Sequence, residues 1–456
     1  METLIPLSDD WRPVETAAAP LEKSDRLVLY GLAAMVAADL TIFLYVVVAG
    51  FVPQPYSDMF DFLRAEFDWE RTGDLLAYLA SPHNHQHLVW VRVLTALDVQ
   101  LFHGSAVVFL VAAGASVIVA AGVLAGELVR STPVRMVGAL AAVLAAPLIA
   151  STVNAMDCTQ PINSVYAIAF VFAVLAIVLF EQAGQGAGRR AAIGAASALA
   201  CGLAAMGGSA AGVAVFPALI FSATRNPGSR GLIAPTLVVG LAAVAVVVAT
   251  LAGGAPSGPA IGGAGHLWKM ADYFVVYAGM PWSAIHGLSR GRLLIGLVTI
   301  GLGAVLIWRG PRAEGGAARR LERIGLDLIL FALITAVMAA LGRVDENEAV
   351  IVPVRYAIFM SAFQVGVLCL LAPVVARRWA SVKAYAAPAI MAASAALLVQ
   401  QVAAGSSVLR TSQFIRSEIA AFTAGQRRPE MRQFIHPDFD IALAVQAERR
   451  RRGLYP

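Results

Sequence analysis

Long apolar runs alternate with short polar segments along most of the chain, and this pattern predicts its secondary structure. A helix needs roughly 20 apolar residues to cross a hydrocarbon core of ~30 Å. The runs that approach this length lie at residues 27–52, 105–128, 134–152, 164–181, 191–206, 209–223, 231–252, 291–308, 325–341, 356–376 and 384–404. We therefore predict an all-α polytopic membrane protein with about eleven transmembrane helices.

The composition agrees with a membrane protein and excludes other classes. Of the 456 residues, 59% are hydrophobic and 14% are charged, whereas about a quarter of the residues in soluble domains are charged. The net charge of +5 does not indicate nucleic-acid binding, because surplus Lys and Arg in membrane proteins gather at the cytoplasmic ends of spans. Cys158, Cys201 and Cys369 lie far apart without metal or redox spacing, so we expect neither disulfides nor cysteine catalysis.

Basic residues predict the orientation of the spans. They fall on alternate short loops, on the side of the N-terminus, at Arg130 and Arg135, Arg189 and Arg190, Arg225 and Arg230, Arg309, Arg312, Arg319, Arg320 and Arg323, and Arg377, Arg378 and Lys383. By the positive-inside rule this side is cytoplasmic. We therefore divide the chain into a cytoplasmic segment (1–26), too long and acidic for a cleaved signal peptide, a transmembrane domain (27–404) and an outward-facing tail (405–456).

The first outward loop, residues 53–104, is predicted to fold into short helices along the outer membrane face. Within it, Ser81 is a candidate N-cap and Pro82 a candidate first helical residue, followed by apolar residues at helical spacing. The tail is predicted to hold two further short helices, at 412–424 and 438–451.

The loop opens with the stretch YSDMFDFLRAEF, whose acids Asp58, Asp61 and Glu66 are expected to meet water directly after the first span. Asp58 and Asp61 are three residues apart, a spacing that places both carboxylates on one face of a helix. Either carboxylate could act as a general base. The alternative is that they are solvated or begin a helix, and Ser57 with Asp58 has the composition of a helix start.

Three histidines follow in the same loop. If a helix begins at Pro82, His83 and His87 share one face at the spacing of a paired metal site, and His85 points elsewhere. Metal binding, hydrogen bonding to phosphate or substrate, and simple interfacial histidines all remain open. Arg92 adds a permanent cation one or two turns further on.

Arg355 and Tyr356 return the chain from the outward loop 342–355 to the membrane. An arginine on the outer side runs against the positive-inside bias, so an anion such as phosphate is a candidate partner. The alternative is an anchor that reaches the lipid headgroups. Lys269, in the aromatic-rich part of segment 253–290, is a similar candidate. The polar loop Asn154–Asn163 could contact a sugar, but a simple turn is the interpretation we adopt.

Together these features resemble the GT-C class of membrane glycosyltransferases, which use polyprenyl-phosphate sugar donors. Members typically carry a long first outward loop with horizontal helices and an acid soon after the first span, where YSDMFDF stands here. The chain is also similar to a group of uncharacterised bacterial GT-C-like proteins, through RYAIF at 355–359, the tail, and a loop motif matched at Asn84, Arg92, Leu101, Phe102 and Gly104. His85 and Gln86 stand where that group has an acid and a histidine.

The resemblance implies a bacterial inner-membrane enzyme of cell-envelope polysaccharide biosynthesis, with its tail in the periplasm. Asp58 or Asp61 would take the proton from an acceptor hydroxyl on a glycan or lipid. Arg355, Lys269 or one of the loop histidines would stabilise the lipid phosphate that leaves, with or without a divalent cation. The expected partners are therefore the lipid-linked donor, the acceptor and membrane lipids, and no nucleic acid.

Two alternatives stay open. A lipid-linked saccharide transporter or flippase would place charges inside its spans, and apart from Asp39 the spans read as almost free of charge. A catalytically silent GT-C-like accessory protein is the other, because His85 and Gln86 depart from the motif.

Overall fold

The computed structural model describes residues 23–83, 86–252, 264–280, 292–310, 312–313, 316–343 and 353–455. Asn84, His85 and much of the predicted outward segments 253–290 and 342–355 lie outside these residues. The described residues form helices and no strand, and their only β-type pairing is an isolated bridge between His83 and Gln86. The all-α fold class is therefore confirmed.

The described residues form seventeen α-helices, numbered in chain order. Their bounds are α1 Lys23–Gly50, α2 Met59–Thr72, α3 Leu75–Ala80, α4 Val89–Phe102, α5 Val107–Ser131, α6 Arg135–Ile149, α7 Met156–Thr159, α8 Ser164–Ala183, α9 Gly188–Gly208, α10 Val215–Arg225, α11 Ile233–Ala252, α12 Ala264–Ala278, α13 Arg292–Arg309, α14 Gly316–Arg343, α15 Ala357–Arg377, α16 Trp379–Thr423 and α17 Phe439–Arg451. A 3₁₀ turn, Val354–Tyr356, leads into α15.

Eight helical stretches of the described residues are long and apolar enough to cross a membrane. They are Arg26–Gly50, Val107–Ser131, Pro161–Ala183, Gly188–Gly208, Pro227–Thr250, Gly316–Leu341, Val354–Arg377 and Pro388–Thr423. Three shorter apolar helices, Arg135–Ile149, Ala210–Arg225 and Leu293–Arg309, occupy the other three positions where spans were predicted. The prediction of a multi-pass membrane protein is therefore confirmed.

Helix α8 lies at the centre of the largest hydrophobic core. Phe170, Val174 and Phe180 on this helix are completely buried, because α5, α9, α10 and α14 pack around it. In contrast, α11 exposes Val238 and Leu241, as an apolar helix does where it faces lipid. The core thus fixes the relative positions of the helices whose ends carry the polar residues described below.

A second hydrophobic core, hereafter the outer core, joins the first outward loop to the tail. Its buried members are Val52, Tyr56, Phe60, Leu63, Phe67, Val99, Ile415, Ile419, Phe422, Met431, Ile435, Ala442 and Val445. They come from the segment between α1 and α2, from α2 and α4, from the end of α16, and from α17 with the residues before it. The loop and the tail, which are more than 300 residues apart in sequence, therefore pack as one unit.

The prediction of a helix from Pro82 is wrong. Ser81 ends α3, with its backbone N–H donating to the Ala77 carbonyl, and α4 begins only at Val89. Ser81 is extended, as expected of a residue before proline, and its carbonyl accepts a 3.0 Å hydrogen bond from Arg92. This tertiary contact outweighs the local N-cap signal. His83 and His87 therefore do not share a helix face.

The predicted separate helix at 412–424 is also wrong. These residues are the end of α16, which continues without interruption to Thr423. Gly405 is not a break, because a Cβ there would lie 2.8 Å from a methyl group of Val46; it allows α16 to approach α1 closely. The second tail helix exists as α17, and the carboxylate of Asp438 caps it by accepting from the N–H groups of Asp440 and Ile441.

Candidate active site

The structure places Asp58 directly before α2, where the chain leaves the first span. Ser57 adopts a left-handed backbone conformation with φ of 50°, and Asp58 follows at the N-cap position. Its carboxylate does not cap the helix; instead Oδ2 lies 3.1 Å from Nε2 of His83. The side chain of Asp58 is 37% exposed, so the carboxylate is accessible to solvent and to solutes.

Two neighbours set the charge of Asp58. The hydrogen bond from His83 lowers the pKa of Asp58 below its ordinary value, while partial burial raises it. Electrostatic attraction from His83 and Arg355 lowers this pKa further. Asp58 is therefore ionised at neutral pH, which is the state that accepts a proton.

His83 is held by a backbone turn and by an aromatic ring. The backbone groups of His83 and Gln86 exchange two hydrogen bonds, of 2.8 and 2.9 Å. The imidazole packs against Phe62 with ring centroids 4.6 Å apart. Phe62 follows Asp58 by one helical turn, so α2 carries both the acid and the ring that supports its histidine.

Arg355 lies in the 3₁₀ turn before α15, and its guanidinium carbon is 5.6 Å from the centroid of the Tyr356 ring. Its positive charge favours the ionised forms of three neighbours, Asp58, Asp157 and Tyr56. The predicted cation thus acts electrostatically on the predicted acid, although the two residues lie far apart in the sequence.

Asp157 belongs to this group, although the sequence reasoning did not select it. It lies in α7 and is completely buried, and neither carboxylate oxygen has a hydrogen-bond partner among the described residues. Burial raises the pKa of Asp157 well above its ordinary value, against the charge of Arg355. The nearby amides serve the turn, since Asn163 donates to Gln160 at 2.8 Å. A lone acid in a short loop between two apolar runs is the signal that could have identified it.

Tyrosine rings line the buried side of the site. The ring of Tyr356 is edge-on to Tyr166 at 5.4 Å and stacks on Tyr277 at 6.0 Å, measured between centroids. The hydroxyl groups of Tyr277 and Tyr56 are buried and have no hydrogen-bond partner in the part of the chain that the structure describes. Such groups can donate hydrogen bonds to phosphate or sugar oxygens.

Asp61 is turned to a different partner from Asp58. Its Oδ2 lies 3.2 Å from Nε2 of His436 in the tail, and its Oδ1 accepts from Arg64 at 3.2 Å. Both carboxylate oxygens are therefore engaged within the protein. Asp58 is the more accessible of the two candidate bases, since Asp61 is 24% exposed.

The structure also describes three further predicted binding residues. Arg92 is buried, between the rings of Phe62 and Tyr78. His87 Nε2 lies 2.6 Å from the hydroxyl of Thr250 on α11, and Lys269 is on an exposed face of α12. His85 lies outside the described residues. Arg92 bonds to Ser81, 11 residues away, and His87 bonds to Thr250, 163 residues away, so helical spacing could not reveal either contact.

The expectation that Glu66 meets water is wrong. Its side chain is completely buried on α2, beside Glu70 and Gln100. Burial, together with the nearby Glu70, raises the pKa of Glu66 from 4.5 to about 8, against the charge of Arg452. Glu66 is therefore mostly protonated at neutral pH.

No cation site follows from the described residues. They contain no group of three or more His, Cys, Asp or Glu side chains placed to hold a metal ion. Asp58 and His83 alone do not form a metal centre of ordinary ligand number.

A second group of charged side chains, hereafter the inner network, lies near the C-terminal ends of α5 and α8. Arg320 of α14 bonds to Glu127 at 2.8 Å, and Arg323 bonds to Glu181 at 2.6 Å. Asp327, one turn further along α14, is also buried. Glu127, Glu181 and Asp327 therefore lie within apolar helices that are long enough to span a membrane. Pairing between helices makes these charges tolerable, and a single sequence does not reveal such pairs.

Comparisons of this chain with protein-family models, curated proteins and solved structures give no match.

Proposed function

We propose that this protein is a GT-C-type glycosyltransferase that moves a sugar from a polyprenyl-phosphate donor to an acceptor hydroxyl. The observation that carries the proposal is an accessible, ionised carboxylate beside a guanidinium. Asp58 is exposed and held by His83, and Arg355 is close enough to influence its charge. A transfer from a lipid phosphate needs this combination of a proton acceptor and a fixed cation.

In the proposed reaction, Asp58 takes the proton from the acceptor hydroxyl as its oxygen attacks the anomeric carbon. A carbon–oxygen bond to the acceptor forms while the bond to the phosphate oxygen breaks, and the electron pair leaves with the lipid phosphate. Arg355 binds that phosphate through parallel N–H donors, which suits its planar fork. His83 orients the carboxylate of Asp58, with Nε2 3.1 Å from Oδ2.

The topology proposed for this reaction has about eleven spans, a cytoplasmic N-terminus and a periplasmic tail in the bacterial inner membrane. The alternation of basic loops supports this orientation, and Asp58 and Arg355 then lie on the outer side. The three shorter apolar helices would complete the count of spans. To test this orientation, cysteines are introduced at Ser406 and Gln433 and exposed to a membrane-impermeant reagent. We expect labelling from the periplasmic side; labelling from the cytoplasmic side would contradict the orientation.

The reaction is tested by Asp58→Asn, assayed in proteoliposomes with sugar-labelled polyprenyl-phosphate donors and membrane-derived acceptors. Loss of a general base typically lowers turnover 10²–10⁴-fold. Asp61→Asn is the comparison on the same helix, at a carboxylate that already bonds to His436 and Arg64. Asp68→Asn, the same substitution at an exposed carboxylate of α2, is the control. We expect a clearly smaller effect there. Unchanged transfer in the Asp58→Asn, Asp61→Asn double variant would refute a catalytic role for this loop.

A transporter of lipid-linked saccharides is the second candidate, and the inner network favours it. Glu127, Glu181 and Asp327 are buried charges of the kind that membrane carriers use. Glu127 and Glu181 each pair with an arginine near a helix end, and such pairs also serve a structural role. Movement of a fluorescent lipid-linked saccharide across vesicles, without sugar transfer, would support the transporter. If the protein neither transfers the sugar nor moves the lipid-linked saccharide, the accessory protein becomes the better proposal.

A further inference from the structure

The tail reaches the helix start that carries Asp58. The backbone N–H of Ser57 donates to the carbonyl of Ile435 at 2.5 Å. Asp61 Oδ2 lies 3.2 Å from Nε2 of His436. Asp58 stands between these two attachment points, so consecutive residues of the tail hold the chain on both sides of it.

The conformation of Ser57 explains why an external contact matters here. Its φ of 50° lies in the left-handed region, which is unfavourable for a residue with a side chain. Asp58 does not cap α2 through its side chain, so the usual local stabilisation of a helix start is also missing. The geometry of this turn therefore depends on the hydrogen bond to Ile435.

The ring of His436 is itself fixed. The side chain is only 5% exposed, and its Nδ1 lies 2.7 Å from the backbone oxygen and 3.0 Å from the backbone nitrogen of Asp438. The ring is edge-on to Phe60 with centroids 6.1 Å apart. Because these contacts orient the ring, Nε2 presents a defined position to Asp61.

The far end of the tail is tied to the same loop. The backbone N–H of Tyr455 donates to the His103 carbonyl at 2.6 Å, and Arg449 donates to the Gly104 carbonyl at 3.2 Å. Arg452 forms an ion pair with Glu70 at the end of α2. The tail thus spans the loop from the start of α2 to the end of α4.

We propose that the tail fixes Asp58 relative to Arg355, and that His436 is the positioning residue, acting through Asp61. Arg355 belongs to the turn before α15 and does not depend on this contact. Loss of the contact should therefore misplace the base while the phosphate site stays formed, so kcat should fall more than the donor KM changes. The kinetic readout rests on the proposed transfer reaction, whereas the exchange readout below does not.

The first experiment measures hydrogen exchange of the full-length protein in detergent, in peptides covering residues 52–62. His436→Phe keeps an aromatic ring and removes the nitrogen that faces Asp61, so exchange at the Ser57 amide should rise. His436→Gln places an amide donor near the position of Nε2 and should restore most of the protection. Arg451→Ala, an exposed change in the same tail, is the control. If His436→Phe does not fold, Asp61→Leu removes the same contact from the other side.

The second experiment measures kcat and donor KM of the same variants. Small misplacements of a catalytic group lower turnover up to about 100-fold. We expect a 10- to 100-fold lower kcat for His436→Phe, a donor KM close to that of the parent, and recovery in His436→Gln.

Unchanged exchange in His436→Phe would overturn the attachment, and faster exchange with an unchanged kcat would overturn the positioning role. If the parent protein transfers no sugar, the proposed function fails, and the exchange data still decide whether His436 holds the start of α2.

Discussion

The Asp58 site and the inner network both pair acids with bases, but they differ in exposure. Arg323 and Glu181 are 9% and 0% exposed, whereas His83 and Asp58 are 14% and 37% exposed. In a buried pair, separating the two groups leaves an unpaired charge in an apolar region, which is strongly unfavourable. An exposed carboxylate can exchange its contacts for those of a substrate. This difference in exposure supports a structural role for the inner network and the proposed chemical role for Asp58.

The largest expected effect breaks the inner network. Arg323→Met leaves Glu181 buried without its 2.6 Å ion-pair partner and should lower the free energy of unfolding by about 3–5 kcal/mol. The double variant with Glu181→Met should recover most of this loss, because no charge is then left unpaired. Thermal unfolding in detergent measures both. Equal unfolding temperatures for Arg323→Met and the parent would show that the pair does not stabilise the fold.

The next effect concerns Arg355. Arg355→Lys keeps the charge but loses the planar fork, and hydrogen bonds to charged groups contribute about 1.5–3 kcal/mol. Donor affinity should therefore fall roughly 10- to 100-fold in a flotation or equilibrium assay with a polyprenyl-phosphate sugar. Thermal stability should stay near that of the parent, unlike Arg323→Met. If lysine serves equally well, Arg355 is an anchor at the lipid headgroups.

The pH dependence of stability tests Glu66, a buried acid on the same helix as Asp58. Its pKa is raised from 4.5 to about 8, so between these values the folded protein keeps a proton that the unfolded chain has lost. Stability should fall as pH rises through this window, by about 2 kcal/mol between pH 6 and pH 8.

Glu66→Gln should lose this contribution, because the amide does not titrate. Unfolding of both proteins at pH 6 and pH 8 isolates it from other groups. The groups that face Glu66 are Glu70, Gln100, Tyr78 and Arg452. Parallel pH profiles for parent and variant would mean that Glu66 is ionised in the fold.

The smallest expected effect is at the surface. Arg71 and Asp68 form an exposed pair on α2, with side chains 73% and 50% exposed. Arg71→Ala should change the free energy of unfolding by less than about 0.5 kcal/mol. Comparison with Arg323→Met shows how much larger the loss in free energy of unfolding is for a buried pair than for an exposed one. A large loss would show that exposure is a poor guide in this protein.

Sequence pattern predicted the positions of the helices because apolar runs are a local property. It also placed Asp58 at a helix start, since Ser-Asp before an apolar turn is a local signal. It failed at Pro82, where Arg92 takes the Ser81 carbonyl, a contact that no local pattern encodes.

The site itself was only partly predictable. Asp58 and Arg355 were selected for their chemistry, but their proximity is a property of the packed helices. Asp157 was set aside because a polar turn is the commoner role for such a loop. The partner of Asp61 lies 375 residues away in the tail, and the charges of the inner network looked isolated because their partners come from other helices.

The length of α16 has a mechanical consequence. Its apolar stretch from Pro388 to Thr423 contains 36 residues, which at 1.5 Å per residue is ~54 Å of continuous helix. A hydrocarbon core is ~30 Å thick, so roughly 24 Å of this helix projects beyond it as a rigid arm. A tilt of about 5° in the membrane displaces the tip of such an arm by about 2 Å. The tip of α16 packs in the outer core. A change in lipid thickness or helix tilt would therefore move the residues that pack against the turn with Asp58.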